Sequence, residues 1–151
     1  MRESGREYSE CMTMPHGPAF PSAKKEQDMF TEIFLETLGK EGVAPIMTWG
    51  GEEPHLAATW NSYLHKTEDG KFLIPVLGMK TTQDNIAINN RIKMVIGSKE
   101  VMGKFGPGAG FLLEGTARVL QEGKEFAMMK KRFDWANCVI EVTVTNITQT
   151  V

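Results

Sequence analysis

The chain lacks several features that mark specialised classes of protein. Its 151 residues include only two cysteines, Cys11 and Cys138, which are too few and too far apart for a disulfide scaffold or a cysteine-based zinc site. No run approaches the roughly 18 consecutive apolar residues that a membrane-spanning helix needs. Residues 1–10 also lack the apolar core of a signal peptide. We therefore expect a soluble, cytoplasmic protein.

An excess of positive charge is also absent. Lysine and arginine together number 17, aspartate and glutamate 19, and the formal net charge is −2. Because proteins that bind nucleic acids or membrane surfaces usually carry a concentrated basic patch, neither class of partner is expected. The hydrophobic share of 41% and the charged share of 24% are those of an ordinary globular domain.

The first 23 residues differ from the rest of the chain. They contain three prolines and show neither a helical nor a strand period, so residues 1–23 are expected to form an irregular N-terminal extension. Cys11 and His16 lie within it, but too few further ligands accompany them for a metal site. Residues 24–151 would then form one domain.

Two hydrophobic periods alternate along this domain. Apolar residues recur every three or four positions over 24–40 and over 124–135, which predicts two amphipathic helices, the first with Ser22 as its N-cap. A period of two predicts strands over 43–49, 55–65, 71–77, 91–97, 111–120 and 138–145. A short helix is expected over 81–90. Short strands linked by hairpins, without a βαβ rhythm, predict a mainly β fold: an antiparallel barrel with helices at its ends.

The glycine-rich stretch 103–110 resembles a nucleotide-binding loop in composition only. A dinucleotide-binding loop follows a strand and opens a helix whose N-terminus meets the phosphates. Here Pro107 interrupts the stretch and a strand follows it. A flexible connection between two strands is therefore the favoured interpretation.

A better candidate for anion binding is the segment 80–84, with the sequence Lys-Thr-Thr-Gln-Asp. Either Thr81 or Thr82 can cap the predicted helix, and Asp84 or a neighbour falls near its third position. The unpaired N–H groups of a helix N-terminus, beside two hydroxyls and an ammonium group, suit a phosphate monoester. An ordinary capped helix is the alternative interpretation.

The segment 59–63 is a polar and aromatic stretch of a predicted strand. On a strand, Trp60 and Ser62 share one face, and Thr59, Asn61 and Tyr63 share the other. The pattern suits either aromatic cross-strand packing or a wall for a flat heteroaromatic ligand, with Thr59 or Asn61 as hydrogen-bond donors. No nucleophile paired with a base stands out, so any chemistry is expected to come from a cofactor.

Several blocks of the chain together resemble one protein family. They are Glu41-Gly42-Val43, Pro54-His55-Leu56, Thr59-Trp60-Asn61-Ser62-Tyr63-Leu64, Pro75-Val76-Leu77-Gly78-Met79, Gly106-Pro107-Gly108-Ala109-Gly110-Phe111-Leu112 and Phe133-Asp134-Trp135-Ala136. In order and spacing, the chain from about Leu38 to Val151 is similar to the FMN-binding split barrels, the superfamily of pyridoxamine 5′-phosphate oxidase. Residues 1–23 lie outside the resemblance.

The resemblance implies an antiparallel split barrel of six or a similar number of strands, which forms a homodimer and binds FMN at the dimer interface. The cofactor-binding residues that it implies are Thr59, Trp60, Asn61, Tyr63, Val76, Leu77, Gly78, Lys80, Thr81, Thr82, Trp135 and Val151. The phosphate would lie near Thr59 and residues 80–82, and the flavin ring along residues 76–78. Val151 would cover the ring from the partner subunit.

Two places depart from the family pattern, and one of them is Ala58, which stands where the family has asparagine. Where the family has His-Lys-Thr, this chain has Lys80-Thr81-Thr82. The family's lysine position is therefore Thr81, and Lys80 would supply the positive charge from one residue earlier.

The function implied is that of a small flavoprotein that binds FMN non-covalently and transfers electrons with a redox partner still to be identified. Whether the protein is also an enzyme stays open, and a flavin reductase or a pyridoxamine-phosphate-oxidase-like oxidoreductase is one alternative. A haem-binding split barrel without enzymatic activity is another, for which His55 or His65 would supply the axial ligand. No bound metal ion is expected.

Overall fold

The computed structural model describes residues 29–151. The predicted extension 1–23, with Cys11, His16 and Ser22, lies outside these residues. In chain order the elements are α1 (Glu32–Leu38), β1 (Val43–Trp49), β2 (Pro54–Trp60), a 3₁₀ turn (Asn61–Tyr63), β3 (His65–Lys66), β4 (Lys71–Val76), α2 (Lys80–Ile88), β5 (Arg91–Met102), β6 (Pro107–Leu120), α3 (Lys124–Arg132) and β7 (Cys138–Gln149). None of the helices in this part of the chain has the length and apolar character needed to cross a membrane.

The strands form one antiparallel sheet in the order β2-β1-β5-β6-β7-β4-β3. Its centre is made by the long strands β5, β6 and β7, and β4 joins this centre by pairing with β7 rather than with a strand close to it in sequence. The predicted mainly β, antiparallel fold with a few helices is confirmed. The sheet has seven strands because the segment after the 3₁₀ turn adds a two-residue strand, His65–Lys66.

The core lies on the face of the sheet that the strand alternation predicts as apolar. In β5, for example, Ile92, Met94 and Ile96 are fully buried. Helix α1 packs against β5 and β6 and contributes Phe34, whose ring meets the edge of Phe111 with 5.2 Å between centroids. A smaller apolar cluster joins α3 to the opposite face of the sheet through Met129, Leu73 and Val139.

The first predicted helix is interrupted at residues 30 and 31 in the structure. Thr31 is extended, with φ −68° and ψ 164°, and its side chain accepts a hydrogen bond from the backbone N–H of Phe34 at 3.2 Å. This side-chain cap starts α1 at Glu32, so an unbroken helix over 24–40 is wrong. The helix ends at Leu38, with Gly39 as its C-cap residue.

The predicted strand 55–65 is interrupted after Trp60. The backbone N–H of Asn61 donates to the carbonyl of Gly42 at 2.9 Å, and residues 61–63 curl into the 3₁₀ turn. The strand-based assignment of Trp60 and Ser62 to one face and of Thr59, Asn61 and Tyr63 to the other is therefore wrong. A hydrogen bond to a residue distant in the sequence outweighed the strand preference of the aromatic residues here.

The glycine-rich stretch 103–110 belongs mostly to a tight hairpin. Strand β5 continues to Met102 and β6 begins at Pro107, so only four residues connect them. Gly110 exchanges backbone hydrogen bonds with Thr150 and Val151, and a Cβ atom on Gly110 would lie 3.0 Å from Val151 Cγ2. Its lack of a side chain thus allows the C-terminal residues to approach closely.

Three other predicted boundaries also move. Strand β7 continues to Gln149, beyond the predicted end at 145, helix α3 ends at Arg132 rather than at 135, and helix α2 begins at Lys80. These differences follow from tertiary pairing, which extends or ends elements independently of local residue preference.

Candidate functional site

An open cavity of about 310 Å³ lies where β2, the 3₁₀ turn, the end of β4 and the segment after α3 meet. Such a volume falls at the lower end of the range for small-molecule sites. Its lining consists of Ala58, Thr59, Trp60, Tyr63, Pro75, Leu77, Met79 and Trp135. Segments that are far apart in the sequence thus bring together five of the predicted site residues: Thr59, Trp60, Tyr63, Leu77 and Trp135.

Ala58, Pro75 and Met79 line the same cavity and were not predicted as site residues. Pro75 and Met79 lie in a sequence block that carried the family resemblance, so their neighbourhood could be located. Their side chains lack the charged or hydrogen-bonding groups that mark a binding residue in a sequence. Their positions on β2 (Ala58), on β4 (Pro75) and at the N-terminus of α2 (Met79), rather than their chemistry, bring them to the cavity.

Two of the lining residues, Tyr63 and Trp135, belong to an aromatic cluster that also includes Phe133. The three ring centroids are 5.4 to 5.6 Å apart, in tilted or edge-to-face arrangements. The Arg132 guanidinium lies 5.0 Å from the centre of the Phe133 ring and closes the outer side of the cluster. These contacts fix the orientation of the Trp135 indole.

Large apolar side chains around the cavity remain exposed. Trp60 is 46%, Trp135 38% and Leu77 62% exposed. Exposed apolar groups concentrated around one cavity are typical of a surface that a ligand or another protein covers. The site therefore offers flat aromatic and aliphatic surface to a flat ligand.

One end of the cavity is bounded by the N-terminus of α2. Met79 is its N-cap residue and has left-handed backbone angles, φ 49° and ψ 46°, an uncommon conformation for a residue other than glycine. Gly78 before it also has a positive φ of 82°. The Gln83 side chain donates to the Gly78 carbonyl at 2.6 Å and holds this turn in place.

The predicted threonine cap of α2 is wrong. Within the described part of the chain, no side chain caps the helix at Met79, and Thr81 and Thr82 are helical residues. Asp84 is the fifth helical residue, so the expected acidic third position is occupied by Thr82. The N–H groups of the first turn are thus left without a capping side chain.

The first turn of α2 suits an anion. It consists of Lys80, Thr81 and Thr82, none of which is acidic. Thr82 is fully buried, and within residues 29–151 its hydroxyl oxygen has no hydrogen-bond partner. A buried hydroxyl without a partner is costly unless a ligand or water satisfies it. The exposed Lys80 and Thr81 side chains, together with the partial positive charge of the helix N-terminus, can receive a phosphate.

The Lys80 ammonium group is not free in the structure. It donates to both carboxylate oxygens of Asp84, one turn along α2, at 3.1 and 3.2 Å. Both side chains are mainly in solvent, 85% and 59% exposed. The positive charge therefore lies at the correct end of the helix but faces a competing carboxylate.

Asn61 is absent from the residues that line the cavity. Its side-chain amide donates to the carbonyls of Lys40 and Gly97, each at 3.0 Å, and is buried. The residue ties the end of α1 to β5 and fixes the start of the 3₁₀ turn. This structural role explains why a polar residue occupies position 61 of the partly aromatic segment 59–63.

The 3₁₀ turn has a second anchor in Glu41. Its carboxylate accepts hydrogen bonds from the Ser62 hydroxyl at 2.7 Å and from the Ser62 backbone N–H at 3.2 Å. These bonds, the hydroxyl first, lower the pKa of Glu41. Anchoring this turn positions Trp60 and Tyr63 at its two ends.

The remaining predicted residues are not part of the cavity lining. Val76 is buried at the end of β4, directly before the exposed Leu77 and Gly78. Val151 packs beside Gly110 of its own chain and is partly exposed.

A larger cavity of about 480 Å³ lies near α3 and has a different character. Its lining includes an ion pair between Arg118 Nε and the buried Glu141, 2.7 Å apart, with Lys71 at 3.8 Å from the same carboxylate oxygen. Because its charged groups already satisfy one another, it gives no reason to expect an aromatic or phosphate ligand.

The chain was compared with known proteins. No protein-family model matches it. It is 42% identical over 122 residues to the FMN-binding protein of Nitratidesulfovibrio vulgaris (strain DSM 19637 / Miyazaki F), a match that covers 81% of this chain and 99% of that protein.

Solved structures share the fold at low sequence identity. An FMN-binding protein from Syntrophomonas wolfei subsp. wolfei superposes with a TM-score of 0.62 at 16% identity, covering 85% of this chain and 88% of that one. A putative pyridoxamine 5′-phosphate oxidase from Listeria innocua gives a TM-score of 0.56 at 16% identity, covering 77% and 94%.

Proposed function

Because the chain belongs to the FMN-binding split-barrel family, we propose that it is a small flavoprotein which holds FMN non-covalently in the cavity beside α2 and transfers electrons. The proposal rests on one observation: the aromatic cavity adjoins the N-terminus of α2. A cavity with the exposed indoles of Trp60 and Trp135 ends at a helix N-terminus where the Thr82 hydroxyl is buried without a partner among the described residues. A planar ring with a phosphate-bearing chain has the matching chemistry.

The phosphate would be held at the first turn of α2. The backbone N–H groups there, the Thr81 and Thr82 hydroxyls and the Lys80 ammonium are its donors, and Thr59 borders the same end of the cavity. The buried Thr82 hydroxyl would gain the hydrogen-bond partner that it lacks within the described residues. A helix N-terminus favours an anion through both its unpaired N–H groups and its dipole.

The flavin ring would lie along residues 76–78, between Trp60, Tyr63 and Trp135. Gly78 has a left-handed backbone and is exposed, so its peptide groups can approach a flat ligand without hindrance from a side chain. When bound, FMN supplies the one- and two-electron redox chemistry that amino-acid side chains lack. The chain contributes aromatic packing around the ring and shields part of it from water.

Electron transfer is favoured over substrate turnover by the lining of the cavity. Its polar side chains among the described residues are Thr59, Tyr63 and the indole N–H groups, so neither a carboxylate nor a histidine is positioned there as a general acid or base. An enzyme acting on a bound substrate usually needs such a group. Outer-sphere electron transfer needs only a positioned and partly accessible flavin.

We propose that the protein acts as a homodimer. On the edge strand β2, Leu56, Ala58 and Trp60 point outward on one exposed face, and Leu77 continues this apolar surface beside the cavity. Edge strands with such faces are usually covered in the native assembly. A second copy would cover the open side of the cavity, and Val151 of the partner subunit would pack on the flavin.

The absorption spectrum of the purified protein tests the proposal. Flavin bands with one FMN per subunit, in a particle of two subunits by light scattering, are expected. A colourless protein that does not bind FMN in titration would contradict it, and a Soret band would indicate haem instead. Rapid loss of the flavin bands on mixing with NADH or NADPH would favour a reductase.

The variant Thr82→Val provides the matched test of the phosphate end. It preserves shape but removes the hydroxyl, so the affinity for FMN should fall by about tenfold, while the affinity for riboflavin, which lacks the phosphate, should change much less. Thr48→Val is its control. This buried threonine lies on β1 and accepts a hydrogen bond from Asn85 at 3.2 Å, so its loss should lower stability without this selectivity.

A further inference from the structure

We infer that Asp84 competes with the flavin phosphate for Lys80 and thereby sets how strongly the protein prefers FMN over riboflavin. The inference rests on the proposed function, because it concerns the same phosphate site. Asp84 thus determines specificity through Lys80 and does not itself contact the ligand.

The first step is the position of the positive charge. Lys80 is the first residue of α2, where the partial positive charge of the helix N-terminus disfavours a cation. A lysine at this place is electrostatically unfavourable for the isolated helix and becomes favourable when an anion binds. Within the first turn of α2, Lys80 is the one cationic side chain that can meet the phosphate.

The second step is the state of that lysine. Both Asp84 carboxylate oxygens lie within 3.2 Å of Lys80 Nζ, which is a two-oxygen contact. For Lys80 to reach a phosphate at the helix N-terminus, its ammonium group must leave this contact or share it. The carboxylate also repels the doubly charged phosphate through solvent.

The third step is the strength of the competition. The pair is mainly exposed, and a lysine that precedes its acidic partner by four residues is the weaker orientation of such helical pairs. The competition can therefore tune the affinity without preventing binding. Removing the Asp84 charge should strengthen FMN binding by about threefold to tenfold at low ionic strength.

The test measures dissociation constants for FMN and for riboflavin by quenching of flavin fluorescence, with the full chain and its variant Asp84→Asn. Asp84→Asn should bind FMN about threefold to tenfold more tightly, with a much smaller change for riboflavin. The gain should shrink at about 0.5 M salt, where charges are screened within a few ångströms. In a Lys80→Gln background the same substitution should gain less.

Asp69→Asn is the matched control. Asp69 is also an exposed aspartate near a lysine, 3.9 Å from Lys71 Nζ, but it lies outside the FMN cavity. It makes the same change in net charge and should leave the FMN affinity unaltered. Thermal unfolding of each apoprotein checks that both variants fold.

The outcomes separate the two ideas. If wild-type protein binds FMN but Asp84→Asn binds it no more tightly, or gains equally for riboflavin, or gains only as much as Asp69→Asn, the role of Asp84 is refuted and the proposed function stands. If wild-type protein binds neither flavin, the proposed function itself fails, and the role of Asp84 fails with it.

Discussion

Replacing Asn61 with alanine should destabilise the apoprotein, although this residue lies in the motif next to the proposed flavin site. The Asn61 amide donates to the carbonyl of Lys40, which follows the end of α1, and to that of Gly97 within β5, at 3.0 Å each, and both bonds are partly buried. Leaving a buried carbonyl unpaired costs about 1–3 kcal/mol, and alanine removes the donor from two partly buried ones. The lost amide also carries an oxygen that has no partner among the described residues, which offsets part of the loss.

We therefore expect Asn61→Ala to lower the free energy of unfolding by about 2–4 kcal/mol. For a domain of this size that corresponds to a fall in Tm of roughly 8–16 °C. Urea unfolding followed by tryptophan fluorescence and calorimetry of the apoprotein both measure it. Asn146→Ala is the control, because Asn146 is exposed and its amide bonds only to surface groups, so its loss should cost less than about 0.5 kcal/mol.

A contrary result is easy to define. If Asn61→Ala unfolds within about 0.5 kcal/mol of the wild type while its FMN affinity collapses, the residue acts on the ligand, as the sequence motif alone predicted. If both stability and affinity fall, the stability of the apoprotein decides between the two roles. It is measured in the absence of FMN and therefore does not depend on ligand contacts.

Three further predictions concern other parts of the molecule. Burial, and after it the Arg132 charge, lower the pKa of His65 below its ordinary 6.5. The unfolded chain therefore binds more protons, and the contribution of His65 to stability should be complete above about pH 7 and decrease as the pH falls towards 5. The urea midpoint of His65→Gln should decrease less over the same pH range. Leu56→Lys should place a charge on the exposed face of β2 and convert the proposed dimer to monomers in sedimentation velocity, whereas an unchanged dimeric mass would exclude this face as the interface. Arg118→Leu should leave the buried Glu141 carboxylate without its partner at 2.7 Å and lower the free energy of unfolding, measured in urea, by about 1–2 kcal/mol. In a Glu141→Gln background, the same substitution should lower the free energy of unfolding by less than half of that amount.

The strands were predictable where one face alone is buried. Residues 43–49 alternate between buried and more exposed positions, and the predicted bounds of β1 are those of the structure. Helix α3 likewise follows from the spacing of Phe126, Met129 and Phe133, which pack in one apolar cluster. In both cases the local pattern and the tertiary environment favour the same conformation.

Prediction failed where distant backbone groups determine local structure. The 3₁₀ turn depends on a bond from the Asn61 N–H to the Gly42 carbonyl and on the Glu41 carboxylate at Ser62, contacts that no local pattern encodes. Similarly, Met79 became the N-cap of α2 because the chain leaves β4 through a left-handed turn. Two threonines nearby made a conventional cap look more favourable than it is.

The candidate site could be anticipated as a set of segments but not as a geometry. Thr59, Trp60, Tyr63, Leu77 and Trp135 were expected at one site and line one cavity. That Lys80 pairs with Asp84, and that Asn61 turns towards α1 and β5, required three-dimensional positions. Side-chain rotamers depend on neighbours that sequence spacing does not reveal.

The pairing of β4 with β7 also has a consequence for biosynthesis. Apart from the two-residue β3, the partner of β4 in the sheet is the last strand of the chain. During translation, the segment that carries Leu77 and Gly78 must therefore wait for residues 138–149 to leave the ribosome before it can join the sheet. Long-range pairing of this kind is slow and leaves apolar surface exposed meanwhile. A nascent chain stalled before β7 should thus be unable to retain the cofactor.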